Sequence, residues 1–65
     1  MKITNFKFTS LEGKKYTING EVDYLHSSGY VFTNIDSVNG EKGDSLVLRG
    51  LISHNNILNH IQKHG

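Results

Sequence analysis

The chain has no cysteine, no proline and no tryptophan. Without cysteine there is neither a disulfide nor a thiolate zinc site, so any metal would depend on His, Asp and Glu. Charge is also sparse and balanced. Seven basic and six acidic residues leave a formal +1 at pH 7. A dedicated DNA-binding domain carries a clear basic excess, whereas a net charge this low permits self-association. The only adjacent basic pair is Lys14-Lys15. No apolar run approaches the roughly 20 residues that span a bilayer. The opening MKITNFKF lacks the apolar core of a signal peptide, so no membrane is expected and the cytoplasm is the default location.

What remains is 65 residues, read as a single domain over 1–65. A chain this short buries only about 60% of its unfolded surface. Small domains often add a staple. With disulfides excluded, close packing or self-association must serve. Six lysines stand against one arginine, and Asn and Ile are common. Their codons are AT-rich, which points to a low-GC source, bacterial or phage.

Alternation of apolar and polar residues organises the first two thirds of the chain. Phe6 and Phe8 share a face opposite Lys7, giving a strand over about 2–10, and Gly13 supplies the turn after it. The clearest pattern runs through KYTINGEVDY, where Tyr16, Ile18, Gly20, Val22 and Tyr24 fall on one face. Such alternation means a half-buried strand, here about 14–25. Asn19-Gly20 inside it is also a strong hairpin signal. The segment is therefore one strand bent at Gly20 or a tight hairpin, and the unbroken register favours the bend. Ile18-Asn19-Gly20-Glu21 recurs as Val38-Asn39-Gly40-Glu41, twenty residues on. Two copies are too few for a repeat architecture, and both read as turn signals.

LHSSG is a turn, YVFTNIDSV a third strand over about 30–38, and NGEKGD a loop. SLVLRGLI reads as a fourth strand over about 45–52, apolar enough to be buried on both faces in part. The end differs. Ser53 suits an N-cap, Ile52 and Ile57 stand at staple spacing, and Ile57, Leu58 and Ile61 form a helical stripe. A helix over about 54–64 follows, with Lys63 and His64 favourable to its dipole and Gly65 able to end it. It is too short to be helical alone and must pack on the sheet.

The candidate sites are thin. His60 and His64 have i, i+4 metal-ligand spacing. Zinc wants three or four protein ligands, however, and a helical wheel turns His60 toward Asn56 and Lys63. No metal and no cofactor are expected. His26 beside Ser27 and Ser28 lacks the orienting acid and oxyanion hole that a hydrolase requires. Glu21 and Asp23 share the wet face of the second strand, where carboxylates serve as solvating charges. GEKGDS lacks phosphate-loop spacing. All six aromatics lie in the first half of the chain. Phe6, Phe8, Tyr16 and Phe32 are expected in the core, while Tyr24 and Tyr30 flank the turn at His26 and stay partly exposed.

Leu46-Val47-Leu48-Arg49-Gly50, behind a strand with a mid-strand glycine, resembles the second motif of Sm-like RNA-binding barrels. The resemblance implies a small barrel that binds RNA. At the first motif, His26 and Tyr30 stand where that family has its RNA-contacting Asp and Asn, and a C-terminal helix replaces the family's N-terminal one.

The fold expected is α+β: a small antiparallel sheet or partly closed barrel of four to five strands with one C-terminal helix packed on it, in the order β-β-β-β-α. The function expected is a small non-enzymatic protein–protein interaction module. Regulators and inhibitors carried by phages or mobile elements of low-GC hosts are often of this size. The partner would be a protein or a second copy, reached through a sheet edge or a self-complementary face. The alternative is a nucleic-acid-binding small β-barrel of OB, Sm or SH3-like type. Lys14, Lys15, Tyr24, His26, Tyr30 and Arg49 are the candidate partner-binding residues.

Overall fold

The computed structural model describes residues 1–64, with His64 described by its backbone alone. Four strands form one antiparallel sheet: β1 (Lys2–Thr9), β2 (Lys15–Leu25), β3 (Gly29–Val38) and β4 (Glu41–Lys42). The sheet is an open meander in the order β1-β2-β3-β4. Two helices follow, α1 (Leu46–Leu51) and α2 (His54–His64). The architecture is α+β, and the sheet does not close into a barrel.

β2 is one continuous strand, so Asn19-Gly20 is not a hairpin. The irregularities lie in its neighbours. Opposite Asn19 and Gly20, β1 carries an extra residue between Ile3 and Phe6, and β3 carries extra residues beside Asn19/Gly20 and Glu21/Val22. Bulges of this kind bend a sheet and increase its twist. They concentrate where β2 has its glycine, and the sheet curls there around the helices. Asn5 sits in the β1 bulge at φ 54°, and its N–H donates to the Asn19 side-chain oxygen at 3.0 Å. The Asn19 amide in turn donates to Ser37 Oγ at 2.9 Å. One side chain thus links all three strands at their most irregular point.

The second Asn-Gly does form a turn. Asn39 and Gly40 both have positive φ, 53° and 83°, and they join Val38 to Glu41 as the two-residue loop of the β3–β4 hairpin. Positive φ at both central residues marks a type I′ turn.

The expected strand over 45–52 is corrected: the segment is α1. Ser45 is extended, and its Oγ accepts from Leu48 N at 3.2 Å, an N-cap. The Asp44 carboxylate ties this cap to the sheet. Its Oδ1 accepts from Ile35 N at 3.2 Å and from Ser45 N at 2.8 Å, and it also holds the Arg49 guanidinium. Leu48 and Ile52, one turn apart, are buried, whereas Leu46, Val47 and Leu51 face outward. The single C-terminal helix expected is therefore two helices. The likeness of Leu46–Gly50 to an Sm strand motif fails with the strand itself.

Ser53 caps α2. Asn56 N donates to Ser53 Oγ at 3.4 Å, and Ser53 N donates back to Asn56 Oδ1 at 3.1 Å. This is the reciprocal logic of a capping box, with Asn in the third position. Ile52 and Ile57 on either side are both buried in the core. There they meet Ile3, Phe6, Phe8, Ile18, Val22, Phe32 and Ile35 from the sheet. Tyr16 is half-buried against this cluster. α2 packs chiefly over β3, so the β1 side of the sheet is left more open.

Candidate functional site

The six candidate residues separate into three places. Tyr24, His26 and Tyr30 come together at the β2–β3 turn. The Tyr24 ring meets Tyr30 edge-on at 5.2 Å and His26 edge-on at 6.4 Å. A fourth ring joins them from the first helical position, which the sequence allows to face the sheet. His54, at the start of α2, stacks on Tyr30 at 5.6 Å with the planes 5° apart. Lys14 and Lys15 lie at the opposite end of β2, exposed beside the β1–β2 turn. Arg49 is engaged with Asp44.

His54 has a structural task. Its Nδ1 accepts from Tyr30 N at 3.0 Å, which places the ring proton on Nε2. Replacing His54 with alanine leaves that half-buried N–H without its acceptor and removes the stacked ring. The loss expected is about 1–3 kcal/mol, read as a fall in the urea midpoint. His54→Asn, which retains an acceptor, should recover part of it. Tyr30 has one face covered by His54 and Tyr24 set against it edge to face.

Catalytic constellations are not assembled by these groups. His26 touches Tyr24 rather than a serine, and Ser27 and Ser28 contact each other at 3.5 Å. Glu21 and Asp23 are exposed. Among the described residues no three His, Asp or Glu side chains converge, and no helix is long and apolar enough to cross a membrane. The His64 side chain and Gly65, invoked for metal spacing and helix termination, lie outside the described residues.

A second candidate is a groove along the outer edge of β1. Thr17 of β2 turns both backbone groups toward Asn39: its N–H donates to Asn39 Oδ1 at 2.8 Å, and its carbonyl accepts from Asn39 N at 2.8 Å. Lys7 lies opposite Thr17. In an antiparallel ladder such a pair exchanges no bonds, so Lys7 turns its own N–H and C=O outward. At the other end of β1, Met1 and Val22 exchange two bonds of 2.9 Å. By alternation Lys2 and Thr4 face outward too. β1 is thus an eight-residue edge with outward-facing backbone groups, interrupted at the Asn5 bulge. The opposite edge, β4, has two residues.

Beside β1 runs α2. Asn56, Asn59, His60 and Lys63 form one stripe of that helix and, with Lys7, wall a hollow of about 300 Å³. His60 also borders a hollow of about 380 Å³ next to Met1–Asn5. Asn56 also borders one of about 430 Å³ next to Phe8, Leu11 and Leu51. The three hollows share these residues and follow one another along β1, a series here termed the channel between strand and helix. The His60 ring is held against Phe6 at 5.3 Å.

At its far end the channel meets the outer face of α1. Leu46, Val47 and Leu51 are 77%, 73% and 53% exposed there, and Leu11 is fully exposed. Comparison of the chain with protein-family models, with curated proteins and with solved structures finds no match.

Proposed function

We propose that this protein is a non-enzymatic protein-binding module that takes up an extended segment of its partner as an added strand on β1. One observation carries the reading: an eight-residue edge strand lies open beside a helix-walled channel. Strand addition gains affinity from main-chain hydrogen bonds and specificity from the pockets that receive alternate side chains. β1 supplies the first and the channel the second. The small core, filled by aliphatic and phenylalanine side chains, supports binding over catalysis.

Lys7→Pro tests the reading. Proline removes the outward N–H, and at an edge it leaves the β1–β2 ladder intact. With a partner captured from source-cell lysate after nuclease treatment, loss of this bond should weaken binding about tenfold. Lys7→Ala, which keeps the N–H, should weaken it less. Hydrogen exchange on the complex should slow at Lys2, Thr4 and Lys7. Equal binding by wild type and Lys7→Pro, with no slowing at β1, overturns the proposal. Capture abolished by nuclease would instead favour the nucleic-acid reading.

A further inference from the structure

Resting on that strand-addition reading, we infer the chemistry of the segment the channel accepts: an extended acidic peptide with an apolar residue toward its N-terminal end. Three lysines flank the open edge of β1. Lys63 stands on the helix side of the edge, while Lys2 and Lys7 project from the opposite face of β1, Lys7 Nζ donating to Thr17 Oγ1 at 3.0 Å; an added strand alternates its side chains between the two faces and so meets lysine on each. Between them lie amides, Asn5, Asn56 and Asn59, which donate to carboxylates as readily as they accept. Two acids stand at the ends of the channel, Glu21 beside Lys2 and the N-terminal ammonium and Glu12 at the far end. There the character changes, and Phe8, Leu11 and Leu51 form an apolar seat.

Direction follows from the sheet. Every pair in it is antiparallel, and an antiparallel addition is slightly the more stable. A segment antiparallel to β1 begins near Leu11 and ends near Lys2. Its apolar anchor therefore precedes its acids. A second copy is a poor occupant, because it would set two lysine-bearing edges side by side, and charged edges resist pairing with like edges.

The probes are two ten-residue peptides, each with leucine near the N-terminal end. One carries three glutamates in its second half and the other carries three lysines there. Each is titrated into the ¹⁵N-labelled full chain at 50 and 300 mM salt. The glutamate peptide should shift and protect the amides of Lys2, Thr4 and Lys7 and shift those of Asn56–Lys63. It should bind about tenfold more tightly than the lysine peptide and lose much of that advantage at high salt. The double variant Lys7→Glu with Lys63→Glu should reverse the preference. Equal protection of β1 by both peptides keeps strand addition and overturns the acidic specificity. Shifts confined to α1 or to the Tyr24 cluster, with β1 amides unprotected by either peptide, overturn both.

Discussion

Replacing Gly20 with alanine should remove most of the protein's stability and bring it to the edge of unfolding at room temperature. A Cβ at Gly20 would stand 2.3 Å from the Asn34 carbonyl oxygen and 3.0 Å from Ile35 Cα. Both are backbone atoms of β3, fixed in the sheet, so no flexible side chain can yield. Overpacking a core typically costs 1–3 kcal/mol, and here a strand must move, so about 3 kcal/mol or more is expected. A core of this size supplies only about 3–5 kcal/mol. Gly50→Ala is the control. Gly50 lies in α1 with nothing within 4 Å of its added Cβ, and helix propensity there favours alanine by up to about 1 kcal/mol. Circular dichroism melts should lower the Gly20→Ala transition toward room temperature and raise that of Gly50→Ala by several degrees. A Gly20→Ala midpoint within a degree or two of wild type would show that β3 is not pressed against β2 at this point.

The same glycine marks where local sequence runs out. Ile18-Asn19-Gly20-Glu21 and Val38-Asn39-Gly40-Glu41 are nearly the same four residues. One is the middle of a strand and the other a type I′ turn. The difference lies in their neighbours. The first is clamped between β1 and β3, and Asn19 spends its side chain on both. The second has only the two-residue β4 to return to, and Asn39 turns its side chain onto Thr17. Alternation through Tyr16, Ile18 and Val22 was enough to favour one strand. The bulges that make room for it lie in other parts of the chain.

Residues 45–52 look like a strand for a related reason. A surface helix shows its period when its outer face is polar. The outer face of α1 is Leu46, Val47 and Leu51, so the segment looks apolar throughout, as a strand buried on both sides would. The cap at Ser45 was readable, but the anchor that secures it, Asp44 on Ile35 N, is a tertiary contact. In α2 the helical wheel grouped His60 with Asn56 and Lys63, and the channel wall contains these three. That this stripe faces the edge of β1 depends on strand order and on the side of the sheet α2 covers. Neither is written locally. Tyr24, His26 and Tyr30 meet because one turn joins them, whereas Lys14, Lys15 and Arg49 had no such local tie.

Phe6 connects the core to the channel, and its removal should have the other large effect. The ring is 1% exposed, meets Phe32 edge-on at 5.4 Å and supports His60. Phe6→Ala forfeits the buried ring and leaves a cavity, about 3–5 kcal/mol in comparable cores, with a further 0.5–1.5 kcal/mol for the aromatic pair. Against a stability of about 3–5 kcal/mol, most molecules should be unfolded in the absence of denaturant. Phe6→Leu keeps most of the volume and should cost less than about 2 kcal/mol, so it isolates the second role of the ring. In that folded variant the amide resonances of Asn59, His60 and Lys63 should move, because His60 loses the ring it is tilted against, while those of the β3–β4 turn stay in place. If Phe6→Ala melted cooperatively within a few degrees of wild type, the core would not be centred on this ring. If Phe6→Leu left the α2 resonances unmoved, the wall of the channel would be held by α2 alone.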